Sequence, residues 1–282
     1  MKNLEEKIFR FLMFFATITI VTALLLILIS ILIRGLPALS IEMITKTPEG
    51  GYYFGKGGGV LNAIIGSLYL AIGSTLLALI IGLPVALYMN IHIQKLKRFV
   101  NFFRFLLDLL WGVPSIVYGA FGFMIMIVLG LKTSLLAGII TVTLFILPII
   151  IRSIDEVLKT VPQGLLEASL SLGSTKSETA FKVYIRQCIP GIITAILLSF
   201  GRAIGDAASV LFTTGYTDNI PTSLTQQAAT LPLSIFFQLS SPIEEVKQRA
   251  YASALILTLI ILIISFLARF FTRKYKKHKI NF

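Results

Sequence analysis

Long apolar runs separated by short polar stretches dominate the chain. They fall at about 11–33, 60–89, 105–129, 134–151, 189–213 and 250–271. Each is near or above the ~20 residues a helix needs to cross the hydrocarbon core of a bilayer. The pattern predicts an all-α integral membrane protein with about six transmembrane helices. The second run carries Gly66, Gly73, Gly82 and Pro84, so a tilt or kink is expected there. The fifth holds two charges, Arg202 and Asp206, and is the least clear by hydropathy. The first follows Lys2, Lys7 and Arg10 and is longer than the roughly 7–15 residues of a signal-peptide core, so it reads as a retained anchor. The nine-residue apolar piece Leu231–Leu239 is too short to span and reads as re-entrant or interfacial.

Composition agrees. Of 282 residues, 56% are hydrophobic and 13% charged, and the mean hydropathy is +0.90. A soluble domain carries about 25% charged residues, so too little charge remains to cover a water-facing surface. The net charge of +12 does not imply nucleic-acid binding, because the basic residues gather at the ends of the apolar runs. With the N-terminus inside, 18 of the 25 lysines and arginines fall on the inner side and 6 outside, Arg34 and Lys56 among them; Arg202 lies within a span. Both termini are therefore expected in the cytoplasm. The single cysteine, Cys188, excludes an internal disulfide and is expected to be buried and inert. His92 and His278 lie in basic polar stretches and read as solvated. The chain divides into 1–59 (tail, first helix, external loop), 60–271 (the transmembrane domain, with cytoplasmic loop 160–187) and a basic tail, 272–282.

The cytoplasmic loop has strong local signals. Pro162 suits the first turn of a helix, Leu165, Leu166, Ser169, Leu170 and Leu172 could form its apolar face, and Gly173 fits a helix stop. Thr175 followed by Glu178 predicts a capping box opening a second helix.

Arg202 and Asp206 are i and i+4, so on a continuous helix they would share a face among small residues. A charge inside a span normally faces a partner or a cavity, which leaves two readings: a structural ion pair or a substrate path. Arginine's planar fork suits a tetrahedral oxyanion. An adjacent carboxylate would orient that fork and accept a proton from phosphate, which sulfate does not carry at neutral pH. Arg152 is the second pathway candidate, with inside-positive anchoring as its plainer reading. Arg104 and Asp108, four residues apart, read as an interfacial structural pair. No G-x-x-x-x-G-K-[ST] loop is present; Gly130-Leu131-Lys132-Thr133 has the wrong spacing, so the chain is not expected to hydrolyse ATP.

The loop resembles the signature segment of ATP-binding-cassette importer permeases. Glu167, Ala168, Ser169 and Gly173 fall at that motif's places, with Ser169 replacing its second alanine and Arg186 standing where many members have proline. The stretches GGGVLNAIIGSLYL (57–70), WGVPSIVYGAFG (111–122), RAIGDAASVLFTTG (202–215) and LPLSIFFQLSSPIEE (231–245) are similar to the phosphate-import permeases, more to their A-type than their C-type partner. Asp206 stands where glutamate is common. The resemblance implies a type I importer permease fold in the bacterial inner membrane and a path through Arg202, Asp206 and Arg152. It implies ATPase coupling through Glu167, Ala168, Ser169 and Gly173. The implied partners are a second homologous permease, an ATPase dimer carrying ATP and Mg, an extracytoplasmic phosphate-binding protein and membrane lipid; no cofactor on this chain and no nucleic acid are expected.

Overall fold

A computed structural model describes residues 2–49 and 57–275. Lys56, His278 and most of the basic tail lie outside the described residues. The described chain is helical, its only bridge of extended chain being a single Pro48–Gly58 pairing. Five helices are long and apolar enough to cross a membrane, or six when one bent pair is counted as a span.

Helix α1 (Lys2–Gly35) runs further than the expected 11–33 at both ends. Its apolar side chains are exposed nearly all round, and it packs mainly along α11 (Glu244–Tyr275). Arg34, expected in the outer loop, ends α1 instead, donating to the Tyr251 hydroxyl at 3.0 Å with its guanidinium 5.3 Å from that ring's centre. After the short α2 (Ile41–Thr45), α3 (Leu61–Leu87) forms the second span. The chain stays helical through Pro84 and widens to π winding over Tyr88–His92. A proline inside a helix removes one ladder hydrogen bond, and a wider turn just beyond is one way to absorb that.

The third run is not one straight span. It divides into α4 (Lys97–Gly112) and α5 (Ser115–Val128), bent by 96°. Val113 precedes Pro114, whose ring disfavours the α conformation at that position, and Val113 is extended (φ −70°, ψ 130°). Helix α6 (Leu135–Leu158) carries the fourth run seven residues beyond its expected end at 151. Helices α3 and α6 lie together at the centre, with α4, α5 and α9 (Ile185–Gly205) around them. Leu70, Ile146, Ile150, Ile154 and Ile204 fill this core.

Between Gly205 and the short α10 (Leu231–Leu239) the backbone is irregular, with buried stretches around Ser209–Val210, Thr213–Thr214 and Ala228–Thr230 and an exposed one over 222–227. Membrane-depth backbone must be satisfied internally. Here the free amides at the start of α6 do part of this: Ser134, Leu135 and Leu136 donate to the carbonyls of Thr213, Gln226 and Leu224 at 2.9, 2.7 and 2.8 Å. Gly66 lets α3 touch this segment, since a Cβ there would lie 2.0 Å from the Ala229 carbonyl oxygen. Helix α10 covers the expected short apolar piece residue for residue, and its Leu231 amide donates to Ser67 Oγ at 2.8 Å.

Candidate functional site: two arginines along α6 and a coupling turn

The fifth run ends as a helix eight residues before its expected end. Helix α9 stops at Gly205, and Asp206 is extended (φ −89°, ψ 126°). Arg202 and Asp206 therefore do not share a helical face. The Asp206 carboxylate accepts from the Ser209 amide at 2.8 Å, organising the turn that follows. Aspartate after glycine competes for backbone amides in this way, so the Gly-Asp pair was a local stop signal. No ion pair joins Arg202 to any described residue, and its N–H groups donate to none of them. Its guanidinium lies over the ring of Phe145, on α6, 5.0 Å from the centroid.

Arg152 lies seven residues after Phe145 on the same helix. Seven residues are nearly two turns, so the two positions share a face about 10 Å apart along the axis. The contact with Phe145 and the position of Arg152 thus set two guanidiniums along one face of α6. Their surroundings differ. Arg152 Nε donates to Asp108 at 2.7 Å and Nη1 to Asp155 at 2.8 Å, with Glu156 as a third carboxylate partner.

The expected Arg104–Asp108 pair does not form. Arg104 instead holds Asp155 bidentately, Nε and Nη2 each 2.9 Å from its two oxygens, and Asp108 turns to Arg152. Asp155 is fully buried and also accepts from Asn90 at 2.8 Å and pairs with Lys159 at 3.2 Å. A buried carboxylate persists when it is paired and hydrogen-bonded, which is how Asp155 stands. This cluster was missed at the sequence level. Its signal was Arg152, Asp155, Glu156 and Lys159 at i, i+3, i+4 and i+7, one polar helical face continuing past the apolar run.

At the same end of the fold, α7 (Gln163–Ser171) begins after Pro162 as expected. Gly173 has φ +85°, a conformation that suits glycine and strains other residues. The Thr175–Glu178 capping box forms in full and opens α8 (Lys176–Glu178), which continues through a π turn into α9. The expected apolar face of α7 is only partly used: Leu166 is buried, whereas Leu170 and Leu172 stand exposed beside Glu167 and Ala168. Ser169 Oγ lies 2.9 Å from Thr179 Oγ1, fastening α7 to the following helix. His92, expected to be solvated, is half-buried and stacked on Tyr88 at 5.3 Å. Cys188 is buried, as expected.

Among solved structures the chain is similar to the inward-facing MetNI methionine ABC transporter, with a TM-score of 0.63 and 20% identity over 77% of this chain and 95% of that one. That likeness shows the fold, the type I ABC importer permease. Residues 78–277 match the family model described as binding-protein-dependent transport system inner membrane component, and the chain belongs to that family. More narrowly, its resemblance is to the phosphate transport system permease protein PstA: 35% identity with the Yersinia pestis protein over 89% of this chain and 84% of that one. Against the Pasteurella multocida PstA the identity is 33%, over 98% of this chain and 97% of that one. A probable ABC transporter permease of Bacillus subtilis is 30% identical over 95% of this chain.

Proposed function

We infer that this chain is the membrane-spanning permease subunit of an ATP-driven importer that carries inorganic phosphate into the cytoplasm. The similarity to PstA permeases over nearly the full length is the observation that carries the assignment. The structure supplies a physical basis for it. Arg202 presents an unpaired guanidinium backed by an aromatic ring, free to donate two parallel hydrogen bonds to a tetrahedral oxyanion. Asp206, one oxygen engaged by Ser209, keeps the other as an acceptor for a proton on phosphate, a feature that disfavours sulfate. Arg152 lies further along the same face, its charge already met by carboxylates, so an anion passing there competes with Asp108 and Glu156 and is held weakly enough to leave.

The exposed tip formed by Glu167, Ala168, Leu170 and Leu172, with the turn at Gly173, is the part that docks on a separate ATPase, which carries ATP and Mg. On this reading the tip and both termini are cytoplasmic, the permease pairs with a second homologous permease, and a phosphate-binding protein delivers from outside. The three-part division of the chain follows from the same reading.

The test is ATP-dependent uptake of labelled phosphate into vesicles holding the full complex, wild type against Arg202→Gln. Uptake that arsenate competes with and sulfate does not, lost in the variant while the complex stays assembled, supports both substrate and site. Normal uptake in the variant removes Arg202 from the path. An assembled, ATP-hydrolysing wild type that imports no phosphate overturns the substrate, and uptake indifferent to ATPase inactivation points to a channel or secondary transporter.

A further inference from the structure

A second anion-attracting place lies away from Arg202. A cavity of about 290 Å³ sits between the π turn after α3, the start of α4, the end of α6 and the start of α7. Its wall holds three cations: Arg104 is paired with Asp155, and Lys159 with Asp155 and Glu156, behind the wall, so Lys97 is the one whose charge is left unmet by a described carboxylate. Lys97 makes no ion pair with a described residue. Arg104 spends Nε and Nη2 on Asp155, leaving Nη1 only a 3.4 Å contact to Asn101. Gln94 and Gln163 line the cavity with no side-chain hydrogen bond to a described residue. Tyr184 is 4% exposed, lines the same cavity, and its hydroxyl is likewise without a hydrogen-bond partner among the described residues.

The start of α4 adds to this. Its cap residue, Leu96, gives no side-chain hydrogen bond, and its first turn holds no acid and opens on Lys97. Cations at a helix N-terminus oppose the helix dipole, and an anion placed there relieves both the dipole and the free amides. Immediately beside the cavity, sharing Met89 with it, lies an apolar groove of about 450 Å³ walled by Pro84, Val85, Tyr88, Ile93, Phe99 and Phe103.

We propose that this cavity is a binding site for a phosphate-bearing anion, with the phosphate group between Lys97, Arg104 and Tyr184. The shared chemistry is a singly or doubly charged phosphate. Its two sources are the headgroup of an anionic phospholipid, whose acyl chain lies in the apolar groove, and free inorganic phosphate. Basic pockets between membrane helices at the cytoplasmic leaflet hold anionic lipid headgroups in this manner. The inference rests on the reading above only in placing this end of the fold in the cytoplasm. Because Val161 and Gln163 of the coupling segment also wall the cavity, its occupant touches the element that meets the ATPase.

The test uses the complete transporter complex, stripped of lipid and exchanged into either phosphatidylglycerol or phosphatidylcholine, with retained lipid counted by native mass spectrometry. Lys97→Glu is compared with Arg98→Glu, an equal charge change at an exposed neighbour outside the cavity; Lys97→Gln serves if the reversal does not assemble. A lipid source gives about fivefold less phosphatidylglycerol retained in the Lys97 variant and little change in the Arg98 variant. A free-ion source leaves lipid unchanged and removes one bound labelled phosphate, measured in an Arg202→Gln background so that the transport path does not contribute. Equal losses in the two variants, or no loss in either arm, overturn the site. Neither readout depends on which solute is carried, so failure here and failure of the phosphate assignment are separable.

Discussion

Arg152, on α6, and Arg202, which packs on α6 two turns away at Phe145, differ in their surroundings: one is surrounded by carboxylates and the other faces an aromatic ring. Arg152 meets Asp108, Asp155 and Glu156; Arg202 meets Phe145 and donates to no described residue. Identical side chains thus take opposite roles through their neighbours. A guanidinium whose Nε and Nη1 are held by carboxylates fastens helices together. One whose donors are free, with a ring beneath it, is on the function proposed above the place for an anion that arrives from elsewhere.

The largest effect that would break this contrast comes from Asp155→Ala. It leaves Arg104, Arg152 and Lys159 without the buried carboxylate they share, a loss on the order of 3–5 kcal/mol. The expected outcome is a complex that no longer assembles or melts much lower, read by size-exclusion chromatography after heating. If Asp155→Ala melts like wild type, the cluster does not fasten α4 to α6.

Arg202→Gln comes next and should act in the other direction: stability nearly unchanged, uptake down at least about tenfold. A hydrogen bond to a charged group contributes about 1.5–3 kcal/mol, whereas an exposed cation–π contact contributes about 0.5–1. A large melting shift in this variant would show that Arg202 is structural.

Asp108→Asn should sharpen the comparison by making Arg152 more like Arg202. Asp108 is half exposed, so its pair with Arg152 adds at most about 1 kcal/mol of stability. The expected result is a melting temperature close to wild type and a phosphate KM lowered a few-fold, with slower turnover as release becomes harder. An unchanged KM would separate Arg152 from the path. Glu156→Gln, at a carboxylate 55% exposed, should show the same trend more weakly.

What the sequence made legible was local. The α7 start at Pro162, the glycine turn at 173 and the Thr175–Glu178 box each depend on residues within a few positions, and each appears as expected. What it hid was tertiary. Asp155 is 51 residues from Arg104, and nothing local chooses that partner over Asp108. The two helix breaks lay between these cases. Val113-Pro114 and Gly205-Asp206 are local break signals, but both sit inside long apolar runs, and hydropathy averaged over such a run passes over a two-residue interruption. The candidate path suffered most, since sharing a face at i and i+4 presumes that the helix continues.

The cluster at the end of α6 also has an electrical consequence. Arg104, Arg152 and Lys159 balance Asp108, Asp155 and Glu156, so when these elements move together they carry no net charge through the membrane field. Arg202 is uncompensated, and moving one elementary charge fully across the field changes the energy by about 2.3 kcal/mol per 100 mV. On the function proposed above, a monovalent phosphate seated on Arg202 would cancel that charge, so the resting voltage would pull on the empty carrier and release the loaded one.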